Sequence, residues 1–123
     1  MATLYWGGGA GTWDATTTTN WYSDFARTTP AGVAPTSADN VIFDSASNAT
    51  AYAVTVGTNA NAADVTIAGP AAGNVTITSA ATSVINCYGS WLSAATGVVF
   101  TTTSGAAINF LATTTGKTVT TIM

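Results

Sequence analysis

Five aspartates, Asp14, Asp24, Asp39, Asp44 and Asp64, are the main candidates for acid–base work in this sequence, because histidine and glutamate are both absent. That absence removes every Ser-His-Asp and Cys-His arrangement. Two carboxylates could in principle flank a glycosidic bond, but such pairs draw support from charged neighbours, and only Arg27 and Lys117 exist to serve all five acids. The residues therefore point away from an enzyme, and no cofactor is expected. The stretch PTSADNVIFD (35–44) offers hard oxygens at Asp39, Asn40 and Asp44, yet it lacks the alternating Asp-x-Asp loop of a calcium site. Asp39 and Asp44 are instead expected to cap the turns into and out of the VIF strand through side-chain to backbone bonds.

The run GGGAG (7–11) has no following GK[ST] and no preceding apolar strand, so it is not a phosphate loop. Its glycines serve positive φ or close backbone approach. Two sequons, Asn48-Ala-Thr and Asn74-Val-Thr, would be used only in a secreted eukaryotic protein. Tryptophan is concentrated at the start, with Trp6, Trp13 and Trp21 within the first 21 residues; exposed, such rings could stack on sugars, and buried, they would close a core.

What must position these residues is a chain with few charges. Charged residues make up 6% of the sequence, far below the roughly 25% of ordinary domains, while threonine alone supplies about a fifth. A surface of hydroxyls, amides and small side chains resists association poorly and is compatible with close subunit contacts. A net charge of −3 with two cations cannot neutralise a run of phosphates or hold an anionic bilayer surface, so nucleic acid and membrane are not expected partners. No run reaches the ~18 apolar residues of a membrane span, and Met1–Trp6 lacks the basic and apolar regions of a secretory signal, so the expected site of synthesis and residence is the cytosol. The lone Cys87, within VINCY, is expected to be a buried thiol.

From Val41 onward, short β-type runs alternate with Gly, Asn, Ala, Ser and Thr. They are VIF (41–43), AYAVTV (51–56), DVTIA (64–68), NVTIT (74–78), SVINCY (83–88), GVVFT (97–101), AINFL (107–111) and KTVTTI (117–122). Apolar residues alternate with Thr or Asn, the period-2 sign of half-buried strands, and no helical pattern competes. Alternate runs recur at about 21–23 residues, as in Val54, Val75, Val98, Val119 and in Val65, Ile85, Ile108, which is the mark of a solenoid. The expected fold is all-β, a short β-solenoid with two strands per coil, inward Val, Ile and Phe columns and outward Thr and Asn ladders. Turns are expected at GTNANA (57–62), GPAAG (69–73) and TTTSG (101–105). An antiparallel sandwich or jelly roll is the alternative. Residues 1–40 read as an aromatic cap and docking segment carrying Tyr5, Trp6, Trp13, Trp21, Tyr22 and Phe25, and 41–123 as the repeat domain. Three or so coils are marginal for a repeat fold, so a homotrimer is expected.

The stretch YWGGGAGTWDATTTTNW, followed by PTSADNVIFD, resembles the opening of virion structural proteins of tailed bacteriophages, including those of cyanobacteria and marine bacteria. Similar signatures introduce β-helical passenger segments of bacterial autotransporter-like adhesins. Trp6, Trp13, Asp14 and Trp21 carry the first motif; Pro35, Asp39, Val41, Phe43 and Asp44 carry the second. The resemblance implies a non-enzymatic virion protein, assembled in the host cytoplasm and bound to the major capsid protein or other virion proteins. The chain's shortness favours capsid decoration over a tail fibre or receptor-binding component. An exported adhesin or glycan-binding module is the remaining alternative.

Overall fold

The computed structural model describes residues 2–121. Thirteen short strands and no helix are present among them: β1 Thr3–Trp6, β2 Gly11–Trp13, β3 Trp21–Tyr22, β4 Asn40–Phe43, β5 Tyr52–Val56, β6 Ala60–Ala62, β7 Val65–Ile67, β8 Val75–Ser79, β9 Val84–Cys87, β10 Trp91–Ser93, β11 Val98–Thr102, β12 Ala107–Phe110 and β13 Val119–Thr121. They stack into three parallel sheets, β13-β10-β7-β4-β1, β11-β8-β5-β2 and β12-β9-β6, with β3 added antiparallel to the outer edge of β1. The chain visits the sheets in strict rotation from β4 to β13. The result is a β-solenoid of about three turns.

Each coil thus has three sides, not the two expected from the spacing. On the first sheet Val41, Val65, Trp91 and Val119 are aligned, on the second Val54, Ile77 and Phe100, and on the third Ala60, Ile85 and Ile108. A coil is therefore 23 to 28 residues long, as the numbering of these aligned positions gives directly. Val119 stacks on Trp91 and not beneath Val98, and Val75 pairs with Tyr52 in place of Val54. The three-strand period was hidden because β6, on the third sheet, lies inside GTNANA, which reads as a turn, and β10, on the first sheet, is only three residues long. Strand β11 likewise runs into the expected TTTSG turn. Of the KTVTTI run, Ile122 lies outside the described residues.

Side-chain alternation does the building. In β5 the pattern is Tyr52, Val54 and Val56 inward with Ala53 and Thr55 outward, and β8 repeats it one coil on. The inward column is sealed: Val54, Val75, Ile77, Val41 and Phe43 are fully buried. Alanines 60 and 62 take the inward positions that Ile85 and Cys87 fill in the next coil. Outward positions form ladders, as expected. Thr12, Thr55, Thr78 and Thr101 align on the second sheet. Asn61, Asn86 and Asn109 align on the third, where Asn86 Nδ2 donates to Asn61 Oδ1 and Asn109 Nδ2 to Asn86 Oδ1, both at 3.1 Å.

The division at residue 40 is not an architectural one. Strands β1 and β2 already belong to the stack, paired parallel with β4 and β5, and only β3 with its flanking loops acts as a lid on the first rung.

Candidate functional site

Three places could carry function: the aromatic N-terminal end, the aspartate turns and the C-terminal coil. At the N-terminal end, β1 and β3 bring Trp6 opposite Trp21. Trp6, Trp13, Trp21 and Phe43 are all fully buried and pack edge-on or tilted, with Trp6 and Phe43 stacked at 5.3 Å. The indoles close the molecule's own first rung, and none presents a face to a ligand. The GGGAG loop makes this possible. Gly8 and Gly9 both sit at φ +82°, where only glycine is unstrained, and the loop turns so that Gly9 O accepts from Trp6 Nε1 at 2.8 Å. Gly11 has no room for a Cβ, which would overlap Asn20 Oδ1. The close approach that the glycines permit is therefore within the chain.

Of the six aromatic residues singled out in the sequence, Tyr5 and Tyr22 remain half-buried and Phe25 is exposed. They surround a residue that sequence reasoning passed over. Arg27 lies over the rings of Tyr5 and Phe25, at 5.1 and 5.4 Å from their centroids. Its Nε donates to Trp6 O at 3.1 Å, Nη1 to Phe25 O at 2.6 Å, and Nη2 to Asp44 Oδ1 at 2.6 Å and to Ser47 Oγ at 3.3 Å. One guanidinium thus ties the lid loop to the first and second rungs, using the fixed fork that lysine lacks. The only signal for this in the sequence is its rarity as one of two cations.

The aspartates are turn-builders. Asp39 Oδ2 accepts from the Thr36 amide and hydroxyl, both at 2.9 Å, and Oδ1 from the Ala2 amide at 3.1 Å. Partial burial works against ionisation of Asp39, and these hydrogen bonds outweigh it, holding its carboxyl below the usual range. Asp44 accepts from the Ala46 amide at 2.9 Å as well as from Arg27. Asp14 binds the amides of Thr16 and Thr17, and Asp24 those of Thr28 and Thr29. Asp64 accepts from the Ser90 amide at 2.7 Å and lies 4.0 Å from Lys117 Nζ. Asn40 Oδ1 accepts from the Asp64 amide. Asp39 and Asn40 accept from backbone amides and Asp44 Oδ1 is shared between the Ala46 amide and Arg27, and among the described residues no three His, Cys, Asp or Glu side chains converge on one point. Cys87 is buried, and desolvation pushes its thiol up, so it is a poor nucleophile.

The C-terminal coil is the opposite of the N-terminal one. Its inward positions continue the sealed columns below, yet Phe100 is 38% exposed, Ile108 37%, Phe110 48% and Val119 53%. The residues directly beneath them, Ile77, Ile85, Cys87 and Trp91, are at 0–1%. The exposure is therefore of the end of the column and not of its flanks. Phe100 and Phe110 rest on Trp91, with ring centroids 6.1 and 5.8 Å away, and leave their outer faces open.

No protein-family model matches the chain, and comparison with curated proteins and with solved structures yields no match.

Proposed function

We propose that this chain is a non-enzymatic structural protein of a bacteriophage particle, decorating the capsid and held there by its own association and by contact with the major capsid protein. The observation that carries the reading is how its polar chemistry is used. Each of the five aspartates accepts from backbone amides of its own fold, and Phe100, Ile108, Phe110 and Val119 leave apolar surface at an open end suited to assembly. The likeness of the N-terminal signature to tailed-phage virion proteins supplies the setting. Burial of the tryptophans takes the stacking platform away from the glycan-binding alternative.

The homotrimer is expected because three coils are marginal, and the tryptophans of the aromatic segment through which it would dock lie in the core. Docking to a capsid is left to Tyr5, Tyr22 and Phe25 around Arg27, and self-association to the other end. The test is quantitative mass spectrometry of purified particles from a producing culture. A copy number near that of the major capsid protein supports decoration, and one near that of tail components moves the assignment to a fibre. Absence from the particle overturns the proposal. Phe25→Ala, which leaves the core untouched, should lower incorporation at a stability cost of no more than about 1 kcal/mol, that of its contact with Arg27.

A further inference from the structure

We propose that the C-terminal end of the solenoid is closed by a second copy of the same chain, packed end to end about a two-fold axis, with the three open strands of each copy paired antiparallel to those of the other. This goes beyond the particle reading and does not depend on it. At the C-terminal end all three sheets finish, among the described residues, on a strand with an unpaired outer edge, β13, β11 and β12, whereas at the other end β3 covers the first sheet and β2 and β6 are the terminal strands. Such edges are normally blunted by charge, proline or a bulge. Here VVFTT, AINF and VTT contain neither charge nor proline, and Lys117 is the one charged side chain after Asp64.

The winding of the chain favours a two-fold partner. With three strands per coil, an even climb sets β11, β12 and β13 at successive heights, about one third of a rung apart. A two-fold axis through the face of the middle strand, β12, returns β12 onto itself and exchanges β11 of one copy with β13 of the other. Low meets high, and the same gap results on all three faces. That gap can then be a single β spacing, about 4.8 Å. The rotation reverses strand direction, so all three pairings are antiparallel, and the contact is isologous and closes on itself. Head-to-tail stacking would find a receiving edge on only two of the three sheets, at β2 and β6, because β3 already covers β1 on the first.

The residues of β12 suit the axis. With Asn109 at the centre, inward Ile108 faces Phe110 of the second copy, and Phe110 faces Ile108, a β-branched residue against an aromatic on both sides. Outward, the asparagine ladder ends at Asn109, whose Nδ2 donates to Asn86. An amide has a second N–H and a carbonyl oxygen, and is self-complementary across a two-fold. Phe100, Ile108, Phe110 and Val119 together expose on the order of 300 Å² per copy, taking about 200 Å² for a fully exposed aromatic and somewhat less for an aliphatic side chain. Doubled, that is more than half of the roughly 1,000 Å² a specific interface should clear. The three strand edges, with Leu111, supply the remainder.

The full chain should show twice its monomer mass by sedimentation at high micromolar concentration and dissociate on dilution. Asn109→Cys, an outward position that spares the core, should cross-link to a covalent dimer on mild oxidation, whereas Thr55→Cys on the flank of the second sheet should not. Phe110→Asp should halve the mass. A monomer at every concentration, a trimer or open-ended polymer, or a dimer that neither cross-links through Asn109→Cys nor responds to Phe110→Asp overturns the proposal. Should Phe110→Asp fail to fold, the cross-linking pair decides alone.

Discussion

Removing Arg27 should destabilise the fold more than any other single change at the surface, and in an unusual order. The side chain is 7% exposed and satisfies two backbone carbonyls besides Asp44, which is 23% exposed. Breaking a buried pair by deleting one partner costs about 3–5 kcal/mol. Asp44 keeps the Ala46 amide and some water, which places Arg27→Ala at the low end, about 3 kcal/mol. Arg27 also sits at φ 56°, a left-handed conformation that costs any residue with a Cβ about 1–2 kcal/mol. Alanine retains that strain and glycine relieves it, so Arg27→Gly should lose only about 2 kcal/mol. Urea unfolding followed by tryptophan fluorescence reads both: the midpoint should fall with the slope unchanged, further for Ala than for Gly. An Ala variant within about 1 kcal/mol of the parent, or a Gly variant less stable than Ala, would refute the role given to the guanidinium.

Asn86→Ala should cost about 1 kcal/mol, because two ladder hydrogen bonds are lost at a position where water can reach the partners, read from thermal midpoints. Asn86→Asp sets an acceptor against Asn61 Oδ1 and should be worse at neutral pH. It should recover as pH falls and the acid regains a donor, a trend Asn86→Ala does not share. Gly11→Ala should lose about 2–3 kcal/mol, since the new methyl meets an Asn20 that is itself held by Gly7 O at 2.8 Å. On the alkaline side, burial pushes the Tyr52 phenol up to about 12, with Ser47 nearby but not in hydrogen-bonding geometry. Its unfolded value is 10.0, so the stability it contributes is whole below pH 10 and falls by about 2–3 kcal/mol as pH rises through 12. Melts across that range should show the decline, which Tyr52→Phe should abolish.

The strands that were legible in the sequence are those where β-branched residues alternate, such as Val54 and Val56, Val65 and Ile67, and Val75 and Ile77. There, local propensity and burial agree. The third side of the coil was not legible because Ala60-Asn61-Ala62 has no β propensity of its own; it becomes a strand by pairing with β9, and alanine suits an interior already filled by large rings. Asp39 and Asp44 could be read as caps because such bonds are local. Arg27 could not, since two of its four partners are backbone carbonyls, which leave no mark in a sequence, and the two side chains, Asp44 and Ser47, lie 17 and 20 residues away. The sequence also treats Ile85 and Ile108 as equivalents. Only stacking order separates a sealed position from an open one.

The two ends of this solenoid differ: the first rung is sealed by its own tryptophans, and the last leaves Phe100, Ile108, Phe110 and Val119 exposed. Amide hydrogen exchange at low and high protein concentration tests it strand by strand. Amides of β4, β7 and β8 should be protected at both concentrations, and those of β1 with them, while β11, β12 and β13 should exchange fast when dilute and slow when concentrated. Fast exchange in β1 and β4, or strong protection of β12 in dilute solution, would contradict the account.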